Sequence, residues 1–480
     1  MSTQTESSML RTTPLSSLLR RGVVGASLLA LSACGGSQAP APEPATSERT
    51  ELRTSDSASS GTGLTANTTA FTVDGILVIL KQTPGNPMVA SQLIVRGGVR
   101  DDTATNAGLE QLMFSTMSMG GPSTMSKTEF FQALASMGSG ASAGVNYDYA
   151  TIACASVLPV LDETWELCGQ MITQPAFRES DLELEREQHL QSLRSLTESP
   201  DDAVAEMLRD AVFAGHPYER RPIGTADVIS GATVADLRDM HATVMTKDRL
   251  LFVVVGDVTP ERVRDYVRHT FGDLPDSNAE LAVPELVGPQ LSITPVAPLT
   301  EARDGLPTSY VLGYYALPSP SDPEFAAVVA GVEIYSDRLF EEVRTRRNLT
   351  YAVSAGTGRR GTNTGFLYVT AADPHTTVQV MLDTLEGMTT ADGIAPSDLE
   401  DQIEMYLTQY WIGLQMNGAQ AGMLARWELL GGGWEDADRF VEQLEALTPE
   451  TVASAMDRYL RDMQFAIVGD SARLALPATP

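Results

Sequence analysis

The sequence predicts an α+β protein of two similar α/β sandwich domains, and three observations carry that expectation. Two stretches close alike: "TVADLRDMHATVMTKDRLLFVVVGDV" and "TPETVASAMDRYLRDMQFAIVGDS" each pass from an amphipathic helix through a polar break into an apolar strand, Leu250–Val255 or Phe465–Val468. Both strands end in Gly-Asp, at Gly256-Asp257 and Gly469-Asp470, and a unit repeated about 210 residues apart signals a duplication. The length of 480 residues exceeds what one core holds, because single cores stop growing near about 250–300 residues. Finally, helical and strand periods are mixed rather than strictly alternating, which favours sandwiches over a parallel-wound sheet.

The elements follow in chain order. Residues 1–34 read as a targeting segment: Arg20-Arg21 precede the apolar run from Gly22 to Ala33, which is too short to span a bilayer. Its end, Leu31-Ser32-Ala33-Cys34-Gly35, resembles the lipobox of bacterial lipoproteins. That resemblance implies cleavage before Cys34, a lipid on its sulfur, and export to the cell envelope; with Gly35 in place of an aspartate, the outer membrane facing the periplasm is the expected address. Residues 35–69 are rich in Pro, Ser, Thr, Gly and Ala and nearly lack large apolar side chains, so a disordered tether is expected there.

The first domain is expected over 70–275. "FTVDGILVILKQ" and "MVASQLIVRGG" read as strands around a "TPGNP" turn, "TIACASVL" as a further strand, and "VLDETWELCGQMI", "DLELEREQHLQSLRSL" and "DDAVAEMLRDAVF" as helices. A linker over 276–300 leads to a second domain over 301–480. There "TSYVLGYYALP" and "GFLYVTAA" read as strands and "AAVVAGVEIYSDRLFEEVRTRR" as one long helix. Cys154 and Cys168, on a strand and the helix after it, read as buried small hydrophobes rather than as a pair.

Composition narrows the function. With 62 acidic against 33 basic residues and a net charge of −29, a nucleic-acid partner is excluded, because phosphate binding needs a basic face. The five histidines, His189, His216, His241, His269 and His375, include no two within a helical turn, and no Cys-x-x-Cys or Gly-x-Ser-x-Gly occurs. "GGG" at Gly431–Gly433 and "GTGRRGTNTG" at Gly356–Gly365 lack the Gly-Lys-Ser/Thr ending of a phosphate loop. They read as a helix terminator and a hairpin turn.

Five segments, in order, are more specific: "DGILVILKQ" with "LIVRGGVRDD" and "AGLEQLMFSTMSMGG"; "DLELEREQHLQSL"; "GHPYERRPIGTADVISGATVADLRDMH"; "LLFVVVGDVTPERV"; and "RLFEEVRTRRNLTYAVSAG". From Phe71 to Ala472 the chain resembles the pitrilysin/insulinase family of zinc metallopeptidases, the inverted-motif zincins, of processing-peptidase-like type. The family's Gly-Leu-Ala-His-x-x-Glu-His, laid on Gly108-Leu109-Glu110, puts Gln111 and Ser115 at the two histidines and Phe114 at the glutamate. The third ligand, seven residues after an acid matched by Glu185, falls on Ser192, 77 residues past Ser115. An amide and two hydroxyls are poor donors for Zn²⁺, and Phe114 cannot take a proton from water. Glu110 stands one residue off, about 100° around the helix.

The second half differs. The resemblance implies that Arg344 and Tyr351, seven residues apart, hold the substrate. It further implies a chain without a metal of its own that pairs with a zinc-bearing homologous subunit around a peptide or unfolded protein. The alternative is a stand-alone scaffold without peptidase activity. "GHPYERRPIG" reads as a structural turn, and Met113, Met117 and Met119 with Phe114 as core packing.

Overall fold

The computed structural model describes residues 63–279, 281–288 and 290–477. The targeting segment, Cys34 and most of the expected tether lie outside them. The last part of that tether is folded, which corrects the boundary at residue 69. Leu64 is fully buried, and its N–H donates to the Tyr410 hydroxyl (2.8 Å) and to Asp438 (2.9 Å). The Thr65 N–H donates to the same carboxylate (3.0 Å). A polar composition conceals this order, because the partners come from the far end of the chain.

Eleven strands form two sheets among the described residues. The first contains β1 (Thr68–Val73), β2 (Ile76–Gln82), β3 (Met88–Arg96), β4 (Gly140–Val145), β5 (Tyr149–Val157) and β6 (Leu250–Gly256), in the order β1-β2-β6-β3-β5-β4. The second contains β7 (Leu299–Ala302), β8 (Ser309–Ala316), β9 (Val353–Thr357), β10 (Thr364–Ala371) and β11 (Met463–Gly469), in the order β7-β11-β8-β10-β9. Without β1 the two orders are the same. In each sheet the last strand of the half inserts beside the first in parallel, β6 on β2 and β11 on β7, and every other pairing is antiparallel. The predicted duplicated α+β architecture is therefore present in the topology itself.

The central strands are apolar throughout because both of their faces are covered. On β6, Leu250, Phe252 and Val254 point into the core under the first half's own helices, among them Leu109–Gly120 and Pro260–Phe271. Leu251, Val253 and Val255 point the other way, onto Leu424 and Ala425 of the helix Asn417–Leu430 from the second half. The exchange is reciprocal: the first half's helix Pro200–Val212 packs on β8 and β11.

Three further features differ from the sequence reading. Cys154 and Cys168 are disulfide-bonded. Both are buried as expected, but the helix Leu161–Thr173 folds back over β5 and brings the second sulfur onto the first. The long helix near residue 340 is two pieces, an α-helix Phe325–Leu339 and a π-helical turn Phe340–Arg346. The linker is also anchored: fully buried Arg249 donates to the carbonyls of Leu281 (3.3 Å), Ala282 (2.7 Å) and Arg96 (2.8 Å) and pairs with Asp101.

Candidate functional site

The helix Leu109–Gly120 carries the positions where metal chemistry was expected. It starts from Gly108, whose φ of +87° suits glycine. A side chain on Gly108 would strike the backbone of Gly224, and one on Gly224 (φ +73°) would strike Ala107 and Gly108. The end of "GHPYERRPIG" therefore lies directly against the helix start. Asp102 accepts the Gly108 N–H (3.2 Å), and burial pushes its carboxyl up to about 7.

Along this helix Phe114 is fully buried in the first core with Met113 and Met117, while Gln111 and Ser115 are half-buried. Ser192 is exposed on the helix Glu179–Glu198, which packs against the first. Glu110 points elsewhere: it is buried near Asp101 and Asp102, one carboxylate oxygen has no hydrogen-bond partner, and burial followed by those acids drives its carboxyl well up. Among the described residues no group of three or more His, Cys, Asp or Glu could hold a metal ion. The residues present do not fit zinc: an amide, two hydroxyls and a phenyl ring in the core offer neither anionic donors nor a base.

The sequence reading did not anticipate the face presented by the helix Glu179–Glu198. Glu185 and His189, four residues apart and hence on one side, are both buried. The His189 Nδ1 lies 2.8 Å from the Glu185 carbonyl, and its Nε2 has no partner. Burial raises the Glu185 carboxyl, against the pull of His189 and Lys127. The spacing was the available signal.

Arg344 and Tyr351 are placed differently. The π-turn Phe340–Arg346 carries Arg344, whose guanidinium carbon lies 4.7 Å from the Phe340 ring centroid and 5.1 Å from that of Tyr351. Asn348, at φ +51°, turns the chain between them. Tyr351 is 86% exposed. The neighbouring acids Glu341 and Glu342 are taken by Arg346 and Arg347, and among the described residues the Arg344 guanidinium has no hydrogen bond or ion pair. Its fork of N–H donors is held between two rings and left available. No hydrogen bond, ion pair or ring contact among the described residues joins Arg344 or Tyr351 to Gln111, Ser115 or Ser192.

"GHPYERRPIG" serves the seam between the halves. The Tyr218 hydroxyl donates to Asp148 and accepts from Arg100 (2.8 Å) and from the Thr362 N–H (3.3 Å). Asp148 also pairs with Arg100 (2.8 Å) and accepts the Gly361 N–H (3.2 Å). The His216 Nε2 faces the Thr362 hydroxyl at 3.2 Å; burial, then the charge of Arg100, lowers its pKa to about 4. Thus the glycine-rich turn of the second half is clamped by the first.

Comparisons with known proteins agree with this geometry. Residues 77–226 match the model of "Insulinase (Peptidase family M16)" and residues 231–406 that of "Peptidase M16 inactive domain". A Mycobacterium leprae protein named an uncharacterized zinc protease is 26% identical over 79% of this chain and 86% of its own length. A peptidase M16 inactive-domain structure from Pseudomonas fluorescens superposes with a TM-score of 0.73 at 20% identity, covering 86% of this chain and all of that one. The periplasmic protease PqqL of Escherichia coli gives a TM-score of 0.73 at 17% identity, covering 91% of this chain but 49% of that one. With family models matching more than half of its length, and with the fold and lost metal donors described above, the chain belongs to the insulinase (M16) peptidase family as a member of the inactive type.

Proposed function

We propose that this chain is the substrate-holding member of a two-chain peptidase, an exported lipoprotein anchored through Cys34 and paired with a zinc-bearing homologue. The observation that carries the reading is the contrast between two sites. Phe114 is sealed into the core where a base would stand, whereas Arg344 is oriented by Phe340 and Tyr351 with its donors unused. A guanidinium and a phenol held this way suit the carbonyl oxygens of an extended peptide. Hydrolysis would be the homologue's work. The disulfide between Cys154 and Cys168 favours an oxidising compartment, in keeping with the lipobox-like sequence before Cys34.

The test is to isolate the tagged full chain from its own cells in mild detergent. The expected result is a co-purifying homologue with His-x-x-Glu-His, and hydrolysis of a quenched fluorescent peptide that drops by about tenfold or more in Arg344→Ala. Hydrolysis undiminished in both Arg344→Ala and Tyr351→Phe overturns the assignment. Isolation without any such homologue overturns the pairing and leaves the scaffold reading.

A further inference from the structure

A second feature lies away from both sets of residues. Within the second half, a cavity of about 190 Å³ opens among side chains from four helices and the β9–β10 hairpin. Phe440 is the centre of its apolar wall, with ring centroids 5.7 Å from Phe325, 5.6 Å from Tyr406 and 5.3 Å from Trp427. The same cavity is lined by two arginines, Arg426 of the helix Asn417–Leu430 and Arg359 of the hairpin.

These two cations are anomalous in this chain. Acidic residues outnumber basic ones by 62 to 33, yet neither guanidinium makes a hydrogen bond or an ion pair among the described residues. Glu333 feels the charge of Arg359 without pairing to it. Arg426 is pushed below its ordinary pKa by burial first and by the charge of Arg359 second. Two like charges facing one partly dry space, with no carboxylate among the residues that line it, form an arrangement that an anion relieves. Guanidinium forks match a carboxylate in two parallel hydrogen bonds. Beside them, a ring-lined space somewhat larger than the roughly 150 Å³ that admits benzene holds one apolar or aromatic group.

From this juxtaposition we infer that the cavity binds a carboxylate carried on an apolar or aromatic body, with Arg426 and Arg359 holding the carboxylate and the rings around Phe440 holding the body. Such a group occurs on a free acylated amino acid and on the C-terminal residue of a peptide. A doubly charged, strongly hydrated phosphate lacks the apolar part. The inference does not depend on Arg344 or on a peptidase partner.

Calorimetric titration of the full chain tests it with N-acetylphenylalanine, its neutral amide, a tetrapeptide ending in free phenylalanine, the same peptide amidated at its C-terminus, and inorganic phosphate. The acids bind saturably, and each amide binds at least about tenfold more weakly than its acid, as loss of a charge-assisted bidentate pair dictates. Binding of the free tetrapeptide assigns a peptide terminus as the source, and binding of the acylated amino acid alone assigns a small molecule. Arg426→Gln removes binding; Arg359→Gln, at an exposed position of a hairpin otherwise held in place, weakens it about tenfold. Arg344→Ala leaves it unchanged. Equal affinity for acid and amide, phosphate binding as tight as the acid, or unaltered binding in Arg359→Gln overturns the assignment.

Discussion

Phe114 shows how far a single position can move from the chemistry its sequence context suggests. The ring fills the first core together with Leu112, Met113 and Met117, so Phe114→Ala is expected to cost about 3–5 kcal/mol in urea denaturation, the range for losing a buried aromatic ring. Phe114→Glu costs at least as much, because a carboxylate there has no donor to meet it; a stability equal to wild type would show that the position opens to solvent. The helix that carries Gln111, Phe114 and Ser115 could be placed from the sequence, because the resemblance and its spacing mark it. The available donors of Arg344 could not, because they depend on Glu341 and Glu342 being taken by other arginines.

His216 gives a prediction with a definite sign. Its pKa, about 4 in the fold, lies below the ordinary 6.5, so the unfolded chain takes up the proton first as pH falls. The contribution is fully present above pH 6.5 and is lost as pH drops toward 4. Allowing for partial exposure, about 2 kcal/mol is at stake. Stability curves of wild type and His216→Gln should converge over that window, and parallel curves would refute the assignment.

At the scale of elements, apolar runs betrayed β6 and β11 because both faces of each strand are covered, and that burial leaves no alternation to misread. The π-turn at Phe340–Arg346 was invisible, since a widened turn keeps the same residues and changes only which carbonyl each N–H meets. The disulfide was missed for a related reason: spacing along the chain does not say that the helix Leu161–Thr173 returns over β5. Closing a loop of 14 residues restrains the unfolded chain, so Cys154→Ala/Cys168→Ala is expected to lose about 3 kcal/mol. Adding a reductant to unmodified protein should lower its denaturation midpoint to match, and no change in either case would show that the bond is idle.

At the scale of the molecule, duplication was legible in the two Gly-Asp endings, but the exchange of helices between halves was not. A periodic pattern reports that a face is buried, not which element buries it, so Leu251, Val253 and Val255 gave no hint of Leu424 and Ala425. The seam they share is fixed at its edge by Asp148, Arg100 and Tyr218 against Gly361 and Thr362. Tyr218→Phe leaves Asp148 and Arg100 without the hydroxyl. It is expected to speed limited proteolysis across residues 276–298 by about tenfold, as local opening becomes more frequent; an unchanged cleavage rate would place the strength of the seam elsewhere.

The early residues Leu64 and Thr65, held by Asp438 and Tyr410, have a mechanical consequence. A pull arriving at residue 63 meets Asp438 and Tyr410 of the second half together with Lys81 of β2, whose ammonium donates to the carbonyls of Gly63 (3.2 Å) and Ala66 (2.6 Å), before it can peel β1 from β2. Anything that tows this protein by its leading end therefore grips both halves at once.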